Sequence, residues 1–179
     1  MKHIFILSLL FLLIISSSTN CKKNNPESGL PQATEEGKNT CGFLVNGKVW
    51  LPRGDNGFAN LTCYYDETFM GGAFTLNGYR YDDGANNSIS FVVASDSIQS
   101  TGIYKLNIRK ARTRFGEYCN GVTLCCYQWT DTIPNHNAYL NITKLDKQKR
   151  IVSGTFEFAL TMPSCDTVKI TRGRFDMKY

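Results

Sequence analysis

The chain has 179 residues, with 20 lysines and arginines against 15 aspartates and glutamates and a formal net charge of +5. That length suits one domain of ordinary size behind short accessory segments. The charge is mildly basic and never concentrated in a block, which argues against nucleic acid as a partner, because such binding needs clustered cations.

The first predicted element is a leader. Met1-Lys2-His3 gives a positive start, and Ile4 through Ile15 is apolar except for Ser8. A membrane-spanning helix needs roughly 20 apolar residues. This run is shorter and has the length of a signal-peptide core. Ser16-Ser17-Ser18-Thr19-Asn20 follow, and then Cys21. A cysteine there resembles the processing site of bacterial lipoproteins, where the thiol receives a diacylglycerol and becomes the new amino terminus. Residues 1–20 are expected to be removed and Cys21 to be lipidated, although Ser18 and Asn20 stand where that pattern prefers leucine and a smaller residue. Ordinary secretion, with Cys21 left as a free or paired thiol, is the plainer alternative.

Residues 21–40 have no aromatic side chain, two prolines and many polar groups. Such a segment buries too little apolar surface to offset its ordering entropy. A flexible tether between membrane and domain is expected. Lys22 and Lys23 would lie beside anionic headgroups or be two solvated lysines.

Residues 41–179 read as one all-β domain. Helix-period apolar stripes are missing and alternation takes their place. Asn46-Gly47 lies between Phe43-Leu44-Val45 and Lys48-Val49-Trp50, and Asn-Gly predicts a tight hairpin because both turn positions need φ > 0. Strands are expected over 88–94 and over 104–109, where Tyr104, Leu106 and Ile108 alternate. Asn120-Gly121 predicts a second tight turn. Strands over 138–145, 155–160 and 165–171 follow, with Phe156, Phe158 and Leu160 on one face. Phe175 to Tyr179 alternates to the last residue. Asp83-Gly84 and Arg172-Gly173 are weaker punctuation. Many short strands between turn signals predict an antiparallel β-sandwich, with a closed or partly open up-and-down barrel as the alternative.

The segments GFLVNGKVWLP (42–52) and SGTFEFALTMPSCDTVKITRGRFDMKY (153–179) resemble an uncharacterised family of small lipoproteins from Bacteroidota. In that family a Val-Asn-Gly-x-x-Trp hairpin opens an all-β domain. A Gly-x-Phe-x-Phe strand and an Ile-Thr-x-Gly-x-Phe-Asp strand close it. The resemblance covers the leader, both ends and about half of the chain. It implies an exported, anchored β module and no particular chemistry. The family carries a cysteine at the position of Phe43, whereas this chain has Cys41.

Beyond Cys21 the cysteines are Cys41, Cys63, Cys119, Cys125, Cys126 and Cys165. An even set in an exported chain points to disulfides. A structural metal site is the alternative, but the paired short spacings it needs are missing. Adjacent Cys125 and Cys126 face opposite sides of a strand. If Asn120-Gly121 makes a two-residue turn, Cys119 faces Val122. At least one long-range bridge is therefore expected, from this region to Cys41, Cys63 or Cys165.

No residue pattern predicts a catalytic, cofactor or metal site. Behind the leader the only histidine is His136, in a turn-like stretch. No Gly-x-Ser-x-Gly turn accompanies it, so it reads as a loop histidine. Asp66-Glu67 and Asp82-Asp83 are chain neighbours and read as solvated turn acids. A glycosidase needs two carboxyl groups facing across a cleft. Asp55-Asn56-Gly57 has calcium-friendly composition without the spacing of a loop site. Lys110, Arg112 and Arg114 share one strand face, which would bind an acidic ligand or simply guard an edge. Tyr64, Tyr65, Tyr79, Tyr81, Tyr127 and Trp129 are candidates for a sugar platform, or for core. Ser97, Thr132 and Thr167 follow aspartates and precede apolar residues, which resembles the O-glycosylation acceptor sites of exported Bacteroidota proteins.

The expected function is a non-enzymatic binding or envelope-associated β module, lipid-anchored to the bacterial envelope at the outer membrane, on its periplasmic or surface face. Its expected partners are the membrane, through the anchor, and a glycan or an envelope protein. A small-ligand carrier with a barrel interior and a carboxylate-dependent hydrolase are the alternatives.

Overall fold

The computed structural model describes residues 25–54, 57–81, 88–106, 113–128 and 137–179. The expected leader, Cys21, Lys22-Lys23, Asp55-Asn56, Asp82-Asp83, Gly84, Lys110, Arg112, Trp129, Thr132 and His136 lie outside those residues.

The described strands are β1 (Thr40–Val45), β2 (Lys48–Trp50), β3 (Leu61–Asp66), β4 (Ala73–Tyr81), β5 (Ser88–Ser95), β6 (Gly102–Lys105), β7 (Phe115–Asn120), β8 (Cys125–Tyr127), β9 (Tyr139–Asp146), β10 (Ile151–Leu160) and β11 (Val168–Lys178). They form two antiparallel sheets. One has six strands in the order β2-β1-β11-β10-β9-β6, and the other has five in the order β3-β4-β5-β7-β8. Alternation explains the pairing of the sheets. In β10, Phe156, Phe158 and Leu160 are buried on one face, and that face needs a second apolar layer to cover it.

Aromatic rings fill the space between the sheets. Phe43 stacks on Trp50 at 4.6 Å between centroids and meets Phe91 of the other sheet at 4.8 Å. Phe74 faces Phe175 at 5.4 Å. Among the described residues no strand of one sheet pairs with a strand of the other, and the segment after β2 reaches across only through the bridge of Arg53 to Arg80 of β4. The architecture is the sandwich. It is not the closed barrel, and inward aromatic side chains occupy the space between the sheets.

The Asn46-Gly47 hairpin forms as expected. Val45 pairs with Lys48, and Asn46 and Gly47 have φ of 47° and 81°. Two other turn signals act differently. Asn120 pairs with Cys125, so the loop is four residues (121–124) and not two. The Asn120 side chain accepts from the backbone N–H groups of Val122 and Thr123, which favours the wider loop. Cys119 therefore faces Cys126, not Val122. Arg172-Gly173 does not end a strand. The register of β10 with β11 shifts between Phe156 and Phe158, and Arg172 has φ of 55°. The pair makes a β-bulge inside one long strand. The strand expected over 165–171 begins only at Val168.

Residues 25–39 are expected as part of a free tether, yet they form a strap docked on the six-stranded sheet. Phe175 and Met177 point into the core, so Asp176 between them points to the outer face. There its carboxylate, 1% exposed, accepts from the Thr34 hydroxyl at 2.6 Å and from the backbone N–H groups of Glu36, Gly37 and Lys38 at 3.0, 2.7 and 3.2 Å. The Ser153 hydroxyl donates to it from β10 at 2.8 Å. Upstream, Glu27 pairs with Arg174 at 2.6 Å and with Arg172 at 3.3 Å. A composition argument counts apolar side chains. The strap is held instead by three backbone donors and the Thr34 hydroxyl converging on one buried acid, and by the Glu27 ion pairs.

Candidate functional site

Three chain segments build a pocket at one end of the sandwich. The end of β3 supplies Tyr64, Tyr65 and Asp66, followed by Glu67 and Thr68. The loop between β9 and β10 supplies Lys147 and Arg150. The residue after β11 is Tyr179. Together they line a pocket of about 440 Å³, within the range of small-molecule sites.

The tyrosines play different parts. Tyr65 is buried, donates its hydroxyl to the Ile98 carbonyl at 2.8 Å, and meets Tyr179 edge to face at 5.1 Å. That pair forms the wall. Tyr64 is 53% exposed and offers its ring to solvent.

The acids are already engaged. Asp66 accepts from the Thr68 hydroxyl at 2.7 Å, the Thr68 N–H at 2.8 Å, the Phe69 N–H at 3.2 Å and the Tyr64 hydroxyl at 3.1 Å. The hydrogen bonds from Thr68 lead in holding its carboxyl at about 2. Glu67 pairs with Lys147 at 2.6 Å. That hydrogen bond raises the Lys147 ammonium above its usual range. Asp66-Glu67 thus read as turn acids, one of them fixing the loop that borders the pocket.

Arg150 is set differently. Its guanidinium lies over the Tyr179 ring, 5.5 Å from the centroid, within cation–π distance. Its backbone has φ of 54°, a region costly for residues with a Cβ. It closes a four-residue turn between the paired residues Asp146 and Ile151. Its carbonyl accepts from the Tyr179 N–H at 3.1 Å.

The other candidates are scattered. Tyr79 and Tyr81 stack at 6.1 Å on the outer face of β4, away from the pocket residues. Tyr127 is buried and donates its hydroxyl to the Asp166 carbonyl. Arg114 pairs with Asp96. Ser97 and Thr167 are both exposed, and the Thr167 hydroxyl lies 3.4 Å from that of Thr161. Cys125 and Cys165 are bonded across a separation of 40 residues, as are Cys119 and Cys126 across 7. The first is a long-range link of the kind the spacing predicts. Cys41 and Cys63 are free thiols.

Sequence reasoning singled out Tyr64, Tyr65, Asp66 and Glu67 and missed Lys147, Arg150 and Tyr179. The missed three come from segments distant along the chain and carry no motif. Only the positive φ at Arg150 sets one of them apart, and that appears only in three dimensions.

A second crevice of about 410 Å³ lies beneath the strap, where Pro31, Cys41, Leu51 and Leu61 meet. The strap also fixes a direction. Glu27 lies beside Arg172 and Arg174, while Gly37 lies beside Asp176. Between these contacts the strap runs parallel to β11, from the middle of that strand toward its Tyr179 end. Comparison with protein-family models, curated proteins and solved structures gives no match for this chain.

Proposed function

We propose that the protein is a non-enzymatic binding module of the bacterial envelope, exported and lipid-anchored through Cys21, whose tyrosine pocket takes a saccharide. The observation that carries this reading is a pocket of about 440 Å³ whose lining includes the Tyr65–Tyr179 ring pair and the exposed Tyr64. A pyranose has an apolar face that suits a ring and hydroxyls that suit surrounding polar groups.

The hydrolase reading fits this pocket poorly. A glycosidase needs two acids across a cleft, one of them kept protonated by a raised pKa. Here Asp66 and Glu67 are chain neighbours, Asp66 is held at about 2, and Glu67 is paired with Lys147.

Two experiments test the proposal. Metabolic palmitate labelling of wild type and Cys21→Ala tests the anchor: label should vanish in the variant, and equal label on both contradicts it. Titration of the full chain in detergent with a panel of oligosaccharides tests the pocket. Tyr64→Ala should weaken binding about tenfold, the upper end of what one ring contact contributes. A panel with no binder contradicts the saccharide.

A further inference from the structure

We propose that the pocket selects acidic saccharides, pyranosides that carry a carboxylate, and that Arg150 reads the charge. This deepens the binding reading above and rests on it. The charges of the pocket lead to it. Of its four ionised side chains, three are engaged by close partners: Asp66 by four donors, and Glu67 and Lys147 by each other. Arg150 makes no ion pair among the described residues. Its one side-chain partner is the Tyr179 ring. A guanidinium lying on a ring face keeps its N–H edge open, and that edge matches a carboxylate bidentately.

The hairpin places the charge. Arg150 sits at φ of 54°, the last position of the four-residue loop between Asp146 and Ile151, as Leu124 does at 57° in the loop 121–124. From that position its side chain lines the pocket. Tyr64 and Arg150 together then supply an apolar platform and a fixed positive charge in one cavity. A hexuronide presents a ring face and a carboxylate on the same unit. A neutral hexose would use only the platform.

The test compares an oligouronide with its methyl ester, which keeps the ring and removes the charge. The full chain in detergent is titrated calorimetrically with each. The acid should bind at least tenfold more tightly than the ester. Arg150→Asn keeps a residue that tolerates positive φ, so the turn is retained and the variant should melt close to wild type. It should reduce acid binding to the level at which the same variant binds the ester. Arg150→Lys, which keeps charge and loses the fork, should fall between them. Tyr64→Ala should weaken acid and ester alike. Equal affinity for acid and ester, or full acid preference in a folded Arg150→Asn, overturns the charge assignment while leaving the saccharide reading standing. Failure of acid, ester and neutral oligosaccharides to bind overturns both.

Discussion

The backbone N–H of Gly37 donates to Asp176 Oδ1 at 2.7 Å, joining the strap that precedes the domain to its last strand. Burial opposes ionisation of Asp176, but the hydrogen bonds from Thr34, Ser153, Gly37 and Glu36 prevail and hold its carboxyl at about 2. Removing the carboxylate leaves several buried donors without an acceptor. Asp176→Ala should destabilise the fold by about 3 kcal/mol, the scale of a charged hydrogen-bond set, read by chemical denaturation. The pH dependence has a definite sign. An ordinary aspartate titrates near 3.9, so a depressed folded value stabilises above that pH and is lost as pH falls through 2. The loss should be on the order of 2 kcal/mol, and Asp176→Asn should lack it. An identical acid profile for Asp176→Asn and wild type would count against the latch.

Gly42 provides a second test of the strap. A Cβ there would lie 2.6 Å from Pro31 Cδ and 2.7 Å from Leu51 Cδ2. The exposed Leu51 side chain can swing its methyl away, but the proline ring cannot rotate clear. Gly42→Ala should lift the strap near Pro31 and cost about 1–3 kcal/mol, as overpacking does. Limited proteolysis should then cut between residues 25 and 38 in the variant before wild type. Equal cutting would mean that the strap is not seated over Gly42.

The cysteines separate by chemistry. Peptide mapping without reductant should recover Cys119 with Cys126 and Cys125 with Cys165. Losing the second link, which closes a separation of 40 residues, should cost about 4 kcal/mol in the chain-entropy account. Cys41 and Cys63 should stay unlabelled by alkylating reagents near neutral pH until the protein unfolds. Burial is the cause in both. It raises the Cys41 thiol far above its usual value, with neighbouring Cys63 adding to the shift, and pushes Cys63 up to about 12. The thiolate is the reactive form. Rapid labelling of the native protein would contradict this placement.

The parts of the fold legible in the sequence were local. Period-two alternation located Phe156, Phe158 and Leu160, and Asn46-Gly47 marked its hairpin, because each rests on neighbours along the chain. The Cys119–Cys126 pair was misread because Asn120 opens a four-residue loop through its side chain, and dipeptide identity does not reveal that. Arg172-Gly173 carries the chemistry of a turn but is used for a bulge, since the strands on either side are already paired. The strap was hidden because three of its four donors to Asp176 are backbone groups. Half of the pocket was visible as Tyr64 and Tyr65. The other half, Lys147, Arg150 and Tyr179, is assembled only when the β9–β10 hairpin and the end of β11 meet β3.

Binding at the tyrosine end is tested most directly by amide chemical-shift mapping of the isotope-labelled full chain in micelles, titrated with an oligouronide. The predicted result is a saturable set of shifts confined to residues 64–68, 147–150 and 179, and its loss in Tyr64→Ala. Shifts centred instead on Pro31, Leu51 and Leu61, the crevice beneath the strap, would place the ligand elsewhere and contradict the assignment.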